Sequence, residues 1–164
     1  MKLYIVSNRL PVKVSWGPEK EILFSRSEGG LATGLDSLKL SEEKHWIGWP
    51  GVCTERKEEK DEIRRQLEAM NFHPVFLSDA QYEYYYEGYS NSTIWPLCHY
   101  FYAYTQYEQN FWSYYKEANA LFCEEVCKIV LSNRWVWIHK VVEIKQMDCT
   151  KGIKICRILQ ECKT

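Results

Sequence analysis

Arg9 ends the segment Ser7-Asn8-Arg9, directly after the apolar run Leu3–Val6. A guanidinium is always charged, and its planar fork matches the oxygens of a phosphate. Taken alone, such a residue reads first as a surface arginine behind a strand. A second segment, Glu28-Gly29-Gly30-Leu31, enters an apolar stripe made by Leu31, Leu35 and Leu38. Paired glycines let backbone amides approach an anion, and a helix N-terminus adds about half a positive charge. The spacing is G-G-x-x-x-G, so the dinucleotide fingerprint is absent, and a plain turn accounts for the pair equally well.

The third segment runs from Tyr85 to Tyr100 and holds Tyr86, Tyr89, Ser90, Asn91, Ser92, Thr93, Trp95 and His99. Aromatic faces stack on the CH faces of sugar rings, and interleaved hydroxyls and amides find the sugar hydroxyls. An aromatic core is the plainer reading of any single Tyr or Trp here. The segment contains no Lys or Arg to follow phosphates, which speaks against nucleic-acid stacking.

Other chemistries find little support. Cys123 and Cys127 are one helical turn apart, Cys98-His99 lies elsewhere, and there is no C-x-x-C pair or H-E-x-x-H, so no metal site is expected. A G-x-S-x-G nucleophile motif is missing. The net charge of −1 provides no field for nucleic acid or acidic membrane. No apolar run approaches the roughly 20 residues that span a bilayer. The seven cysteines form an odd set without small-domain spacing, which suits reduced thiols and a cytoplasmic setting.

The elements that must position these residues follow from periodicity. At 164 residues, with 46% hydrophobic residues and 15% aromatics, the chain can bury one domain-sized core. Apolar runs at Leu3–Val6, His45–Trp49, Pro74–Leu77 and Trp135–Ile138 read as buried strands. Weak alternation over Val12–Phe24 around Gly17-Pro18 reads as a hairpin. Helices are expected after Gly30, from Thr54 as cap to Met70, from Ser78 or Asp79, and over about Tyr107–Leu131. Strands alternating with helices mean crossover connections and an α/β fold with a mostly parallel sheet. Ligands on such sheets bind outside the carboxyl ends of the strands.

In combination the segments are more specific. Ser7-Asn8-Arg9-Leu10-Pro11, Glu28-Gly29-Gly30-Leu31, Trp46-Ile47-Gly48-Trp49-Pro50-Gly51, Pro74-Val75-Phe76-Leu77-Ser78 and Tyr85 to Tyr100 occur in that order. Together they closely resemble the N-terminal part of the trehalose-6-phosphate synthase family, over residues 3–139. The resemblance implies a GT-B architecture of two Rossmann-like domains, of which residues 1–139 look like an incomplete N-terminal, acceptor-side domain. It implies retaining glucosyl transfer from UDP-glucose to glucose-6-phosphate, without a cofactor or metal. By the same resemblance Arg9 contacts the acceptor phosphate, and Tyr86 and Trp95 are acceptor-site aromatics. Gly29 and Gly30 match the glycine pair at UDP-glucose, and Trp49 and His139 are further candidates.

The pattern departs from the family after the fourth strand. The family continues His-Asp-Tyr-His, whereas His139 is followed here by Lys140-Val141-Val142, so a lysine with donors only stands where an acceptor carboxylate is expected. Residues 140–164 form an atypical tail without aromatics, in which neither helical nor strand periodicity persists. The sheet is therefore expected to end with an unpaired edge after the fourth strand. With the second domain and its diphosphate-binding residues missing, the chain by itself is expected to lack activity. The alternative is a non-catalytic sugar-phosphate-binding or interaction domain.

Overall fold

A computed structural model describes residues 2–27, 43–130, 135–139 and 154–158. The expected helix after Gly30, the glycine pair Gly29–Gly30 and Lys140 lie outside the described residues.

Strands β1 (Lys2–Arg9), β4 (Glu43–Trp49), β5 (Phe72–Pro74), β6 (Trp135–His139) and β7 (Lys154–Ile158) form one sheet in the order β5-β4-β1-β6-β7. Every pairing in it is parallel. The strands β2 (Val12–Trp16) and β3 (Ile22–Arg26) form a separate antiparallel hairpin. Helices α1 (Lys57–Glu68), α2 (Asp79–Gln81), α3 (Trp95–Cys98) and α4 (Gln109–Ile129) join a π-helical segment, Tyr82–Ile94.

Strand alternation divides the core between the two sheet faces. Tyr4, Val6, Ile47, Trp49, Val136 and Ile138 face α4, where Ala118, Phe122 and Val126 are fully buried. Ile5 and Trp46 point the other way, onto Ile63 and Leu67 of α1 and onto Leu10 and Val14. Cover on both faces is the reason the strands read as continuous apolar runs. At the β5 edge Arg64 of α1 donates to Glu125 of α4 at 2.5 Å and to the Pro74 carbonyl at 3.4 Å. Glu125 is buried, so this ion pair ties the two helices around the edge strand.

Three expectations need correction. The third strand occupies Phe72–Pro74, not Pro74–Leu77, because its partner β4 ends at Trp49; Val75 closes the pairing through its amide to the Gly48 carbonyl at 2.8 Å. Val75 and Leu77 keep their place in the core without being strand. Helix α1 starts at Lys57 with Arg56 at the cap position, and Thr54 instead accepts from the Arg56 amide at 3.3 Å and donates to Glu59. Finally, the tail contributes a strand. β7 pairs with β6 from Trp135↔Lys154 to His139↔Ile158, so the edge beyond the fourth strand is covered.

Candidate functional site

Arg9 and Trp49 are register partners at the carboxyl ends of neighbouring strands, and His139 ends the strand on the other side of β1. The register slips between Val6 and Arg9, a bulge at the sheet rim. Ser7 holds this bulge. Its hydroxyl donates to the Arg9 carbonyl at 2.7 Å and accepts from the buried Trp46 indole at 2.6 Å. Gly48 lies against it. A Cβ at Gly48 would sit 2.9 Å from the Arg9 carbonyl carbon, the Leu10 amide nitrogen and the Ser7 carbonyl oxygen.

The guanidinium that emerges from the bulge is exposed and enters an aromatic group. Its carbon lies 5.1 Å from the Trp49 ring, 5.1 Å from the Tyr86 ring and 5.8 Å from the Tyr82 ring. Trp49 and Tyr82 stack at 4.4 Å, and Tyr82 and Tyr86 are tilted at 5.5 Å. Each cation–π contact at an exposed site contributes about 0.5–1 kcal/mol. Arg9 Nη2 donates to the Tyr82 hydroxyl at 2.8 Å, which donates in turn to Glu87 at 2.7 Å. Burial and the hydrogen bond to Glu87 push the Tyr82 hydroxyl up to about 12, so it remains a neutral phenol.

Local chemistry explains how the aromatic segment is delivered to the rim. Ser78 caps α2 in a reciprocal box: its hydroxyl accepts from the Gln81 amide at 3.2 Å, and the Gln81 side chain accepts from the Ser78 amide at 3.1 Å. The chain then continues in i→i+5 register. The Trp95 amide donates to the Ser90 carbonyl five residues back, and the side-chain hydroxyls of Ser90 and Ser92 donate to the carbonyls of Tyr85 and Glu87 at 2.8 and 2.7 Å. Segments of this register are rare and occur frequently at functional sites. Tyr85 anchors it, fully buried against Tyr115 and Phe122.

Of the residues singled out in the sequence, the structure brings Arg9, Tyr86 and Trp49 together. Trp95 joins a different group, stacked on His99 at 4.2 Å and on Phe101 at 6.2 Å, with the His99 Nδ1 at 2.7 Å from the Trp95 carbonyl. Gly29 and Gly30 are not among the described residues, and for His139 only the backbone position is described. Tyr82 lies just before the Tyr85–Tyr100 segment and Glu87 inside it, and sequence spacing gives neither a role beside Arg9. A 3.6-residue period places them about 140° apart around a helix, and only the wider register gives them one face.

Close to Trp49, the Cys53 thiol is a poor nucleophile. Burial, with Asp79 beside it, pushes the Cys53 thiol up to about 11, which keeps it protonated. Among the described residues no cluster of three or more His, Cys, Asp or Glu could hold a metal ion. No described helix is long and apolar enough to cross a membrane. What the rim presents is a fixed cation framed by aromatic faces, an arrangement suited to an anionic sugar.

The family model for Glycosyltransferase family 20 matches residues 1–141. The chain is 39% identical over 139 residues to the alpha,alpha-trehalose-phosphate synthase [UDP-forming] 56 kDa subunit of Saccharomyces cerevisiae, covering 84% of this chain and 28% of that protein. It is 41% identical over 148 residues to the bifunctional trehalose-6-phosphate synthase/phosphatase of Thermoproteus tenax, covering 85% and 19%. Among solved structures it resembles the Burkholderia xenovorans alpha,alpha-trehalose-phosphate synthase (UDP-forming) in complex with glucose-6-phosphate. That likeness has a TM-score of 0.60 at 27% identity, over 85% of this chain and 28% of the other. Another trehalose-6-phosphate synthase structure gives a TM-score of 0.62 at 26% identity, with 85% and 28% covered. The chain thus spans less than a third of the length of these relatives.

Proposed function

Because the chain belongs to glycosyltransferase family 20, we propose that it supplies the acceptor side of glucosyl transfer from UDP-glucose to glucose-6-phosphate, giving trehalose-6-phosphate. The observation that carries this reading is the Arg9 guanidinium held over Trp49 and Tyr86 at the carboxyl rim of a parallel sheet. Ligands of open α/β sheets bind at that rim. In the proposed complex Arg9 binds the acceptor phosphate through a charge-assisted fork. Tyr86 offers a hydroxyl to the sugar, and the buried Trp49 ring supports the guanidinium and the Tyr82 stack from below.

Trp95 is proposed as a second acceptor aromatic, and Gly29 and Gly30 as the backbone approach to UDP-glucose. His139 is proposed at the same rim. Residues 1–139 form the acceptor-side unit in this reading, and residues 140–164 an atypical tail. A second Rossmann-like domain completes the cleft and neutralises the departing diphosphate. The protein chemistry required is positioning of two substrates and stabilisation of developing charge, with no covalent intermediate on a side chain. We place the activity in the cytoplasm, a reducing compartment that suits seven cysteines.

UDP release from UDP-glucose, measured with and without glucose-6-phosphate, is the direct test. The 164-residue chain is expected to bind glucose-6-phosphate and to release no UDP. A chain carrying the second domain is expected to release UDP only when the acceptor is present. Binding without release by both forms would favour the second reading, a non-catalytic sugar-phosphate-binding domain. Absence of any glucose-6-phosphate binding would sink both readings.

A further inference from the structure

The acceptor reading gives no part to Tyr82, in the aromatic group around Arg9, or to Glu87, which Tyr82 contacts. Among the described residues, the Tyr82 hydroxyl is the one hydrogen-bond acceptor of the Arg9 guanidinium, at 2.8 Å. That hydroxyl spends its single proton on Glu87 Oε1 at 2.7 Å. Asn91 Nδ2 donates to the other oxygen, Glu87 Oε2, at 3.3 Å. The phenol ring is fixed by its stack on Trp49 at 4.4 Å. The i→i+5 register of Tyr82–Ile94 places Tyr82 and Glu87 one turn apart on the same face.

We propose that Tyr82 is a positioning residue for the Arg9 guanidinium, and that Glu87, acting through it, sets how strongly that guanidinium attracts an anionic acceptor. The inference rests on the reading of Arg9 as the phosphate-binding group. Tyr82 takes one of the five guanidinium donors and leaves the planar fork in a set orientation. The phenol also keeps Glu87 from pairing directly with Arg9, which would consume two donors at once. The carboxylate is thereby held one phenol away, near enough to temper the positive field and too far to occupy the fork. Because Tyr82 is neutral, the relay transmits position, and Glu87 alone contributes charge.

Glucose-6-phosphate and, separately, inorganic phosphate are titrated into the full 164-residue chain by calorimetry. The Arg9 Nε–H signal is followed by NMR. Tyr82→Phe is expected to weaken glucose-6-phosphate binding about tenfold, the worth of one hydrogen bond to a charged group, and to move the Arg9 Nε–H signal toward that of a solvated arginine. Glu87→Gln keeps an oxygen to accept the Tyr82 proton and loses the charge. It is expected to tighten binding about twofold to threefold, the effect of one unit charge acting across several ångströms of water. These opposite signs separate positioning from a merely structural part. Wild-type affinity with an unmoved Arg9 signal in Tyr82→Phe would overturn the proposal, as would weakening by Glu87→Gln equal to that of Tyr82→Phe. If the unaltered chain binds neither ligand, the phosphate reading of Arg9 fails. The Arg9 signal then decides the positioning role by itself: moved in Tyr82→Phe it stands, unmoved it falls.

Discussion

The Arg9 guanidinium carbon lies 5.1 Å from the centre of the Tyr86 ring, although one residue ends the first strand and the other sits beyond the third. Parallel pairing of β1 with β4, and of β4 with β5, puts the carboxyl ends of all three strands at one rim, from which the chain after β5 runs into the aromatic segment. The contact sets an order of importance for binding. Arg9→Ala is expected to weaken glucose-6-phosphate affinity by about tenfold to a hundredfold, since a bond to a charged group contributes about 1.5–3 kcal/mol. Tyr86→Phe, which keeps the face under the guanidinium and loses only a hydroxyl, is expected to cost less than Arg9→Ala. Calorimetric titration of both variants checks the ranking, and equal losses would contradict it.

Gly48 connects stability to the site. A methyl there meets three backbone atoms of the bulge at 2.9 Å, and backbone has no rotamer by which to give way. Gly48→Ala is expected to destabilise by about 1–3 kcal/mol, the usual cost of overpacking, and to impair binding at Arg9 as well. Urea unfolding read alongside the titration would show both. Unchanged affinity in a destabilised variant would separate the bulge from the site.

A pH dependence should originate at the opposite end of the sheet. His45 Nδ1 is 3.0 Å from His73 Nε2, the rings stack at 5.3 Å, and His45 also stacks on Tyr4. Burial is the main cause that holds both imidazoles below their ordinary 6.5, helped by Lys2 at His45 and by His45 at His73; Glu43 opposes it at the first, Glu68 and Glu125 at the second. The unfolded chain therefore binds more protons just below pH 6.5, so stability falls as pH drops through that value toward the lowered native ones. The urea midpoint is expected to be lower at pH 5.5 than at pH 7.5. Replacing both histidines by glutamine should flatten that difference; an unchanged slope would assign it to other groups.

Two substitutions in the core should behave in opposite ways. Phe122 is fully buried between α4 and the sheet, and Phe122→Ala is expected to cost about 3–5 kcal/mol. The Tyr85 hydroxyl is buried without a hydrogen-bond partner among the described residues, and burial raises it well above its ordinary 10. Tyr85→Phe removes that uncompensated polar atom, so it should be neutral or stabilising by up to about 1 kcal/mol. Thermal melts of the two variants measure this, and a large loss in Tyr85→Phe would mean the hydroxyl is paired in solution.

Local sequence determined what depends on local periodicity. The runs around Ile5 and Ile47 became the central parallel strands, because residues covered on both faces must all be apolar. Ser78 and Gln81 formed their capping box, since its spacing needs only one helical turn. Arg9 was legible as a charged residue at the carboxyl rim for the same reason. Which aromatics surround it was not. Trp95 reads as its partner but stacks on His99, while Tyr82 reaches Arg9 and Glu87 reaches Tyr82. That outcome depends on an i→i+5 register which a 3.6-residue period does not describe, and on an anchor, Tyr85, packed against a helix far along the chain. The strand in the tail is another tertiary decision. Lys154–Ile158 shows no alternation of its own, and it is extended because β6 presents a row of unpaired amides and carbonyls that only another strand can satisfy.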